Sequence, residues 1–268
     1  MNHSSLIVKP GSKFSLSEID PEGQTNVSKD AAKYRLSKLQ EKLSGLQSRL
    51  YAQGKQSLLV VMQAMDAGGK DGTIKTVFRD MNPQGMAVTS FKVPSTEELA
   101  HDFLWRVHAK APARGMIGIF NRSHYEDVLI VRVNELVPES VWRSRYDQIN
   151  AFEKLLSDNG TRIVKFFLHI SKDEQKARLE DRLKSPDEQW KFSMGDLPVR
   201  LKWGDYMDAY DDALSNCSTD NAPWYVIPSN RKWLRNLLVT QILVETLEDM
   251  DPQYPAPEPG LESVVIPD

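Results

Sequence analysis

Cysteine is nearly absent from this chain, whose 268 residues contain only Cys217. One cysteine forms neither an intramolecular disulfide nor a multi-thiolate zinc site, which excludes disulfide scaffolds and zinc-ribbon folds. Long apolar runs are missing too, because stretches such as Leu58–Met62 fall far short of the about 20 residues that cross a bilayer. The polar residues 1–13 lack the apolar region of a signal peptide. We therefore expect a cytoplasmic protein without a membrane partner.

An excess of charge of either sign is also lacking, since 34 Lys and Arg stand against 37 Asp and Glu, a net charge of -3. This balance gives no reason to expect a nucleic-acid partner, although it leaves room for a local basic groove that holds an anion. Apolar residues at 40% and charged residues at 26% exclude a fibrous or mostly disordered chain. The length suits one α/β domain with inserts.

The ends of the chain differ in composition from its middle. Residues 1–27 are polar and indicate an arm, and residues 251–268 are rich in proline and indicate a tail without regular structure. A helical period begins after Ser28, a candidate N-cap, and runs to about Ala52. Its apolar seam packs on the chain's own core or forms a helix-to-helix contact between subunits. The seam consists of Leu36, Leu39, Leu43, Leu46 and Leu50.

Between these ends, short apolar runs alternate with helical stretches. That order predicts an α/β, three-layer fold with a five-stranded parallel sheet, which binds its ligand at the carboxyl ends of the strands. The predicted strands are 57–63, 87–91, 116–120, 162–170 and 224–228. The predicted helices are 72–81, 96–110, 138–157, 172–184, 205–214 and 231–250.

A glycine-rich turn between the first strand and the next helix is typical of a phosphate loop. Its free amides and the helix start attract an anion, and Lys70 can reach phosphate oxygens. The match to G-x-x-x-x-G-K-[ST] is imperfect, because Ala64 stands at the first glycine and Asp71 replaces the hydroxyl residue. A plain glycine turn with a surface lysine is the alternative. The candidate binding residues are Ala67, Gly68, Gly69, Asp71, Gly72 and Thr73, with Lys75 and Arg79 extending the positive charge along the helix.

If the acidic residues of this turn face the ligand, they imply a divalent cation between the two, because a carboxylate repels a bare phosphate chain. Mg²⁺, or Mn²⁺, suits such hard oxygen ligands and keeps several waters. Asp66 is the stronger candidate ligand since it lies inside the loop, whereas Asp71 also fits a helix cap. Asn121 is a further candidate.

A second polar cluster follows the predicted strand 116–120, at a place where loops usually carry function. Arg122 can bind phosphate bidentately, and Asn121 or Glu126 can orient a metal or its waters. Each of these residues, taken alone, also fits an ordinary surface loop. The other candidate binding residues here are Ser123, His124 and Tyr125.

A third cluster contains Arg178 and Arg182, which are four residues apart and share one face of a predicted helix. The segment 172–204 fits a helical lid whose arginines close over a reacting phosphoryl group, or else a solvated helix with local ion pairs. Three aromatic residues fit either base stacking or the core, namely Trp105, Trp203 and Tyr206.

The chain closely resembles the family-2 polyphosphate kinases, and it is similar to their class III branch. The resemblance covers about residues 31–250. It rests on ordered matches at MDAGGKDGT (65–73), NPQG (82–85), FKVPS (91–95), HDFLWR (101–106), FNRSHYEDVL (120–129), WKFS (190–193) and APWYVIP (222–228).

This resemblance implies a P-loop kinase fold with a lid over a domain at 28–250. It implies transfer of the terminal phosphoryl group of inorganic polyphosphate to AMP or ADP with magnesium, by a homodimer or homotetramer. By position, Asp66 and Lys70 correspond to the Walker A aspartate and lysine and Arg122 to the Walker B arginine. Arg178 and Arg182 correspond to lid arginines. Asn121 departs from the aspartate of some members, which argues against a simple two-carboxylate metal site.

Two other functions remain open from the sequence. An ATP-dependent nucleotide kinase would use the same loop, metal and lid. A non-catalytic nucleotide-binding scaffold would bind ligand without transferring phosphate.

Overall fold

A parallel sheet in the order β2-β3-β1-β4-β5 lies at the centre of the chain. The computed structural model describes residues 5–267. All four strand pairings are parallel, which confirms the predicted α/β class, and each predicted strand boundary lies within one residue of the observed one. The strands are β1 (Ser57–Gln63), β2 (Met86–Ser90), β3 (Ile117–Asn121), β4 (Thr161–His169) and β5 (Trp224–Pro228).

Helices cover both faces of this sheet, so the fold has three layers. Within residues 5–267, none of them combines the length and the apolar character that crossing a bilayer requires. The helices are α1 (Lys29–Gln53), α2 (Lys70–Val77), α3 (Thr96–Leu99), α4 (Trp105–His108), α5 (Ile130–Val133), α6 (Glu139–Asp158), α7 (Lys172–Lys184), α8 (Asp196–Leu201), α9 (Trp203–Cys217) and α10 (Lys232–Met250).

The single helix predicted at 96–110 is wrong, because α3 and α4 are two separate short helices. Asp102 lies between them, and its Oδ1 accepts a hydrogen bond from the backbone N–H of Leu104 at 3.0 Å. An aspartate that bonds the backbone two residues on competes with a continuous helix. The helical spacing of apolar residues continues across Asp102, and for this reason the sequence pattern predicts one helix.

The leucine seam of α1 packs on the chain's own core. Leu43, Leu46 and Leu50 are buried in one cluster with the apolar face of α10. Ser28 caps the helix by accepting the backbone N–H of Ala31 at 3.2 Å, as predicted. Because the seam is buried within the chain, it gives no support to a subunit contact, and the oligomeric state remains a prediction.

Part of the predicted arm contributes to the core. The backbone N–H of Val8 donates to the carbonyl of Trp224 at 2.9 Å, and that of Val226 donates to the carbonyl of Leu6 at 2.8 Å. Val8 is buried. This segment therefore runs beside β5, the edge strand of the sheet.

Truncating Leu50 tests the packing of α1 on α10. Leu50 is fully buried, and we expect Leu50→Ala to lower the free energy of unfolding by about 2–5 kcal/mol, through lost burial and the cavity left behind. Urea unfolding measures the change. Leu155→Ala on α6 is the control, because that side chain is 51% exposed. Equal losses in the two variants would contradict the packing described here.

Candidate active site

The loop between β1 and α2 surrounds the amino group of Lys70. Lys70 Nζ donates a hydrogen bond to the carbonyl of Ala64 at 2.8 Å. Ala67 and Gly69 take left-handed backbone conformations, with φ of 59° and 99°. Burial, and next the positive charge of Arg122, lower the pKa of Lys70 to about 8. The hydrogen-bond acceptor of this buried amine is thus a neutral carbonyl group of the loop.

The loop has no room for a side chain at Gly68. A Cβ built on Gly68 would lie 2.5 Å from the Cβ of Ala64 and 2.7 Å from the carbonyl oxygen of Met65. Both distances are shorter than van der Waals contact allows. The alanine that replaces the first glycine of the phosphate-loop signature is therefore compensated by the missing side chain at Gly68.

The end of β3 is joined to this loop by two side-chain contacts. Arg122 Nη2 donates to Asp66 Oδ1 at 2.6 Å, and Asn121 Nδ2 donates to Asp71 Oδ1 at 2.6 Å. Arg122 Nη1 also lies 3.7 Å from Glu126 Oε2. Burial opposes the charge of Arg122, but the two carboxylates Glu126 and Asp66 outweigh it and raise the pKa of this guanidinium. The sequence-predicted residues of the two loops are thus brought together.

Arg178 ties α7 to the phosphate loop. Its Nη1 donates to the carbonyls of Ala67 and Gly68, both at 3.1 Å, and its Nη2 donates to the carbonyl of Ser229 at 2.6 Å. The side chain is nearly buried. Arg178 therefore lines the site, as predicted, but its donors hold backbone carbonyls of the protein itself and, at 2.7 Å, Glu174 Oε1.

The segment predicted as a lid, residues 172–204, contains the whole of α7, a short 3-10 helix, α8 and the first residues of α9. Arg182 Nη1 on α7 lies 4.0 Å from Asp196 Oδ2 on α8. Large apolar side chains are exposed along this segment, including Trp190 at 78% and Leu201 at 85%. Such exposure suits a surface that changes its contacts when a ligand binds.

His124 and Tyr125 do not line the site, and the prediction that they do is wrong. Both are fully buried, and both contact Glu153 Oε1, at 3.1 and 2.9 Å. Lys165 on β4 lies 2.5 Å from the other oxygen of Glu153 and 2.8 Å from the hydroxyl of Tyr125. The turn after β3 therefore directs these side chains into the core, where a buried ion pair supplies their polar partners.

Besides Glu126, four further candidates lie outside the groove. Thr73 bonds within its own helix, and buried Ser123 caps the turn that follows it. Lys75 is exposed, more than one turn beyond the start of α2. Arg79 lies past the end of α2, and its Nε donates to Asp80 at 3.1 Å. The positive charge predicted along this helix thus does not line the groove.

The aromatic residues considered for base stacking do not line the groove either. Trp105 stacks on His101 with ring centroids 4.2 Å apart. Trp203 and Tyr206 pack against the apolar core on one face of the sheet. Of the two readings left open by the sequence, the structure supports the core for Trp203 and Tyr206 and a surface stack for Trp105.

A groove of about 670 Å³ opens over the phosphate loop. It brings together Asp66, Lys70, Asp71, Arg122, Asn121, Arg178 and Arg182 with the glycines of the loop. Sequence reasoning missed several of its residues, although one of them, Arg235, is marked by being the only arginine in the apolar helix α10. The missed lining residues are Ser90, Phe91, Lys92, Val93, Asp181, Glu188, Lys191, Ser193, Asp196, Lys232 and Arg235.

The oxygen donors at the groove fit Mg²⁺ or Mn²⁺. The carboxylates of Asp66 and Asp71 lie beside the loop, and the amide of Asn121 is hydrogen-bonded to the second of them. One or two carboxylates, completed by waters and phosphate oxygens, are the ligands such a cation takes at a phosphate site.

A parallel sheet, a phosphate loop after β1 and a basic groove at the carboxyl edge define a P-loop α/β protein with a site for phosphorylated ligands. The family model for Polyphosphate kinase 2 (PPK2) matches residues 26–255. The chain belongs to this family.

Relatives of known name match nearly the whole chain. An AMP/ADP-polyphosphate phosphotransferase from Meiothermus ruber is 54% identical over 97% of this chain and 98% of its own length. An ADP-polyphosphate phosphotransferase from Rhodopseudomonas palustris is 50% identical over 82% of this chain and 80% of its own. The crystal structure of Polyphosphate Kinase 2 from Arthrobacter aurescens TC1 superposes with a TM-score of 0.93 and 43% identity, covering 97% of this chain and 93% of that one.

The packing of Gly68 against Ala64 is tested by a double-mutant cycle. Gly68→Ala alone adds a methyl group where the loop has no room, and we expect it to lower the free energy of unfolding by about 1–3 kcal/mol. In the Ala64→Gly/Gly68→Ala double variant only part of this loss should be recovered, with a coupling of about 0.5–3 kcal/mol, because the close approach to the carbonyl oxygen of Met65 remains. Chemical unfolding of all four proteins measures the cycle. Additive effects of the two substitutions would show that the methyl groups do not compete.

Proposed function

We propose that this chain transfers the terminal phosphoryl group of inorganic polyphosphate to AMP and ADP, reversibly, and so makes ADP and ATP. The observation that carries the proposal is the meeting of Lys70 and Arg122 with the phosphate loop in one groove. Relatives named as AMP/ADP-polyphosphate and ADP-polyphosphate phosphotransferases support this substrate class.

The loop residues bind the phosphates of the donor. Backbone N–H groups at the start of α2 and the ammonium group of Lys70 face the anion, and Lys70 exchanges the carbonyl of Ala64 for a phosphate oxygen. Arg122 contributes a second cation, oriented by Asp66. Arg178 acts on the reaction by holding the loop carbonyls, so that the loop amides stay directed into the groove.

Transfer needs no covalent enzyme intermediate. A phosphate oxygen of the acceptor attacks the terminal phosphorus of the polymer, the bridging P–O bond breaks, and the shortened polymer leaves with the bonding electron pair. The acceptor phosphate is already ionised near pH 7, so no general base is required. Positioning and charge neutralisation by Lys70, Arg122 and Arg182 supply the catalysis. Mg²⁺ held by Asp66 would add neutralising charge at the phosphates.

The segment 172–204 serves as the lid of this site in our proposal, within a catalytic domain at 28–250 that is flanked by the arm and the tail. Closure of the part of this segment beyond Arg178, which includes α8, would exclude water from the phosphoryl group and bring Arg182 to it. A cytoplasmic location and a homodimeric or homotetrameric state complete the proposal.

A donor and acceptor screen tests the function. We expect AMP or ADP with polyphosphate to yield ADP and ATP, measured by chromatography, and ATP to be a poor phosphoryl donor to AMP. Lys70→Ala should reduce the rate by about 30- to 1,000-fold, because about 2–4 kcal/mol of barrier lowering is lost. Lys154→Ala, an exposed lysine on α6, is the control. Transfer from ATP alone would favour the nucleotide kinase, and binding without transfer would favour the scaffold.

The lowered pKa of Lys70 predicts an alkaline limit to activity. Above about pH 8 the free enzyme loses the charge of this amine, so kcat/KM for polyphosphate should fall towards tenfold per pH unit. The fall in kcat should begin at a higher pH than the fall in kcat/KM, because bound phosphate favours the ammonium form of Lys70.

Stability without ligand should change in the opposite direction. The folded-state pKa of about 8 lies below the ordinary value of 10.5, so the unfolded chain binds more protons between these two values. The free energy of unfolding therefore rises across this window, and Lys70→Met should remove that rise. For the activity prediction, a value of kcat/KM for polyphosphate that stays constant well above pH 8 would contradict the role of the charged Lys70 amine.

A further inference from the structure

Three consecutive backbone carbonyls of the phosphate loop are held by side chains of α7. Gln175 Nε2 donates a hydrogen bond to the carbonyl of Asp66 at 2.9 Å, and Arg178 Nη1 donates to the carbonyls of Ala67 and Gly68. In a planar trans peptide group, the carbonyl and the N–H of the next residue point in opposite directions. Contacts that draw these carbonyls towards α7 therefore turn the N–H groups that follow them away from α7.

Gln175 is a buried amide with a hydrogen-bond partner at each end. Its side chain is inaccessible to solvent, and it lies one helical turn before Arg178 on the same face of α7. A buried amide is costly unless its polar atoms are hydrogen-bonded. Its Nε2 has the carbonyl of Asp66, and its Oε1 accepts from Arg200 Nη1 at 3.0 Å. The side chain of Gln175 thus bridges the phosphate loop and α8.

Arg200 fixes the direction in which the amide of Gln175 faces. A guanidinium group only donates hydrogen bonds, so the amide oxygen must face Arg200 and the amide nitrogen must face Asp66. Arg200 Nη1 also donates to the carbonyl of Lys172 at 2.6 Å, which places α8 against the first turn of α7. The orientation of Gln175 therefore depends on a residue of α8, within the segment proposed as the lid.

The residue whose backbone Gln175 holds also orients Arg122. Asp66 Oδ1 accepts from Arg122 Nη2 at 2.6 Å, so the position of the Asp66 main chain sets the position of this ion pair. The next residue, Ala67, has a left-handed φ of 59°, a strained conformation that surrounding contacts must hold. Gln175 bonds the carbonyl of the peptide group between Asp66 and Ala67. It therefore restrains both the strained backbone of the loop and the direction of the Asp66 carboxylate.

We infer that Gln175 is a positioning residue of the reaction and that Arg200 acts through it. Gln175 does not line the groove, and it acts by holding the main chain of Asp66, so that Asp66 and Arg122 keep the geometry that phosphoryl transfer requires. The inference rests on the proposed function. Movement of α8 towards or away from α7 makes or breaks the contact between Arg200 and Gln175. The position of the lid is thereby linked to the geometry of the phosphate loop.

Steady-state kinetics of Gln175→Met test the inference. Methionine has nearly the same length and volume as glutamine but makes neither hydrogen bond. We expect kcat to fall about 10- to 100-fold, because small displacements of the reacting groups are costly, and KM for polyphosphate and for ADP to stay within about twofold. Gln175→Glu should lose as much, since an ionised carboxylate accepts from Arg200 but cannot donate to the carbonyl of Asp66.

Gln47→Met is the matched control. Gln47 on α1 is also fully buried and also bonds the main chain, donating to the carbonyl of Asn82 at 2.7 Å and accepting from its N–H at 2.9 Å. Neither Gln47 nor Asn82 lines the groove. We expect urea unfolding to show a loss of stability in both methionine variants, and kcat to fall only in Gln175→Met. Equal losses of kcat in the two variants would overturn the inference.

Arg200→Ala separates action through Gln175 from direct action on a substrate. We expect kcat to fall severalfold in this variant, and the Gln175→Met/Arg200→Ala double variant to match Gln175→Met within about twofold. Effects that multiply would show that Arg200 does not act through Gln175. Arg200 is partly exposed, so its variant carries the test if Gln175→Met fails to fold, and an unchanged kcat in it would overturn the inference.

The outcomes separate this inference from the proposed function. A wild-type enzyme that does not transfer phosphate from polyphosphate would overturn the function itself. An active wild type whose Gln175 variants keep their kcat would overturn only the positioning role. A rise in KM for either substrate at unchanged kcat would overturn it too, because it would show that Gln175 supports binding and not the geometry of transfer.

Discussion

The contact between Arg122 and Asp66 is the interaction on which the site depends. It joins the loops after β1 and β3, which the parallel sheet brings to one edge but does not by itself align. Arg122 and Ala67 both take left-handed φ values, of 60° and 59°. Such conformations cost about 1–3 kcal/mol each and persist only where surrounding contacts impose them. The ion pair is one of those contacts, and it also fixes the direction of the Arg122 guanidinium.

The buried cations of the groove share one feature, which is that their hydrogen-bond acceptors are largely neutral. Lys70 bonds the carbonyl of Ala64, Arg178 bonds loop carbonyls in addition to Glu174, and Arg235 bonds an amide oxygen. Carbonyl and amide oxygens satisfy donors without cancelling charge. In the proposed function a phosphate chain therefore meets positive charge that carboxylates balance only in part, Glu174 beside Arg178 being one of them. In the free protein, burial and a neighbouring arginine lower the pKa values of both Lys70 and Arg235.

The polar cluster after β3 divides between the groove and the core. Arg122 and Asn121 face the loop, whereas His124 and Tyr125 meet Glu153 and Lys165 in the interior. Burial favours the neutral form of Glu153, but the charge of Lys165 and the hydrogen bond from His124 outweigh it and lower its pKa. Removing one member of such a pair leaves a buried charge alone, which is costly. These buried contacts of His124 and Tyr125 thus stabilise the turn after β3, which begins with Arg122.

Sequence periodicity predicts the sheet and most of the helices because alternation of apolar runs is a local signal. It also finds the phosphate loop, since spacing and strand-to-helix context lie within a short segment. It does not find Arg235, whose partner loop is distant in the chain, and it cannot tell which side chains after β3 turn inward. The sequence predicts the place of Ala64 and Gly68 in the loop, but it does not show that the two residues depend on each other.

Taken singly, the alanine weakens the match to the phosphate-loop signature. A Cβ built on Gly68 would lie only 2.5 Å from the Cβ of Ala64, so the alanine requires a glycine four residues later. The departure from the signature is therefore a change in how the loop is packed, and the strand, glycine-rich turn and helix of the phosphate loop are retained.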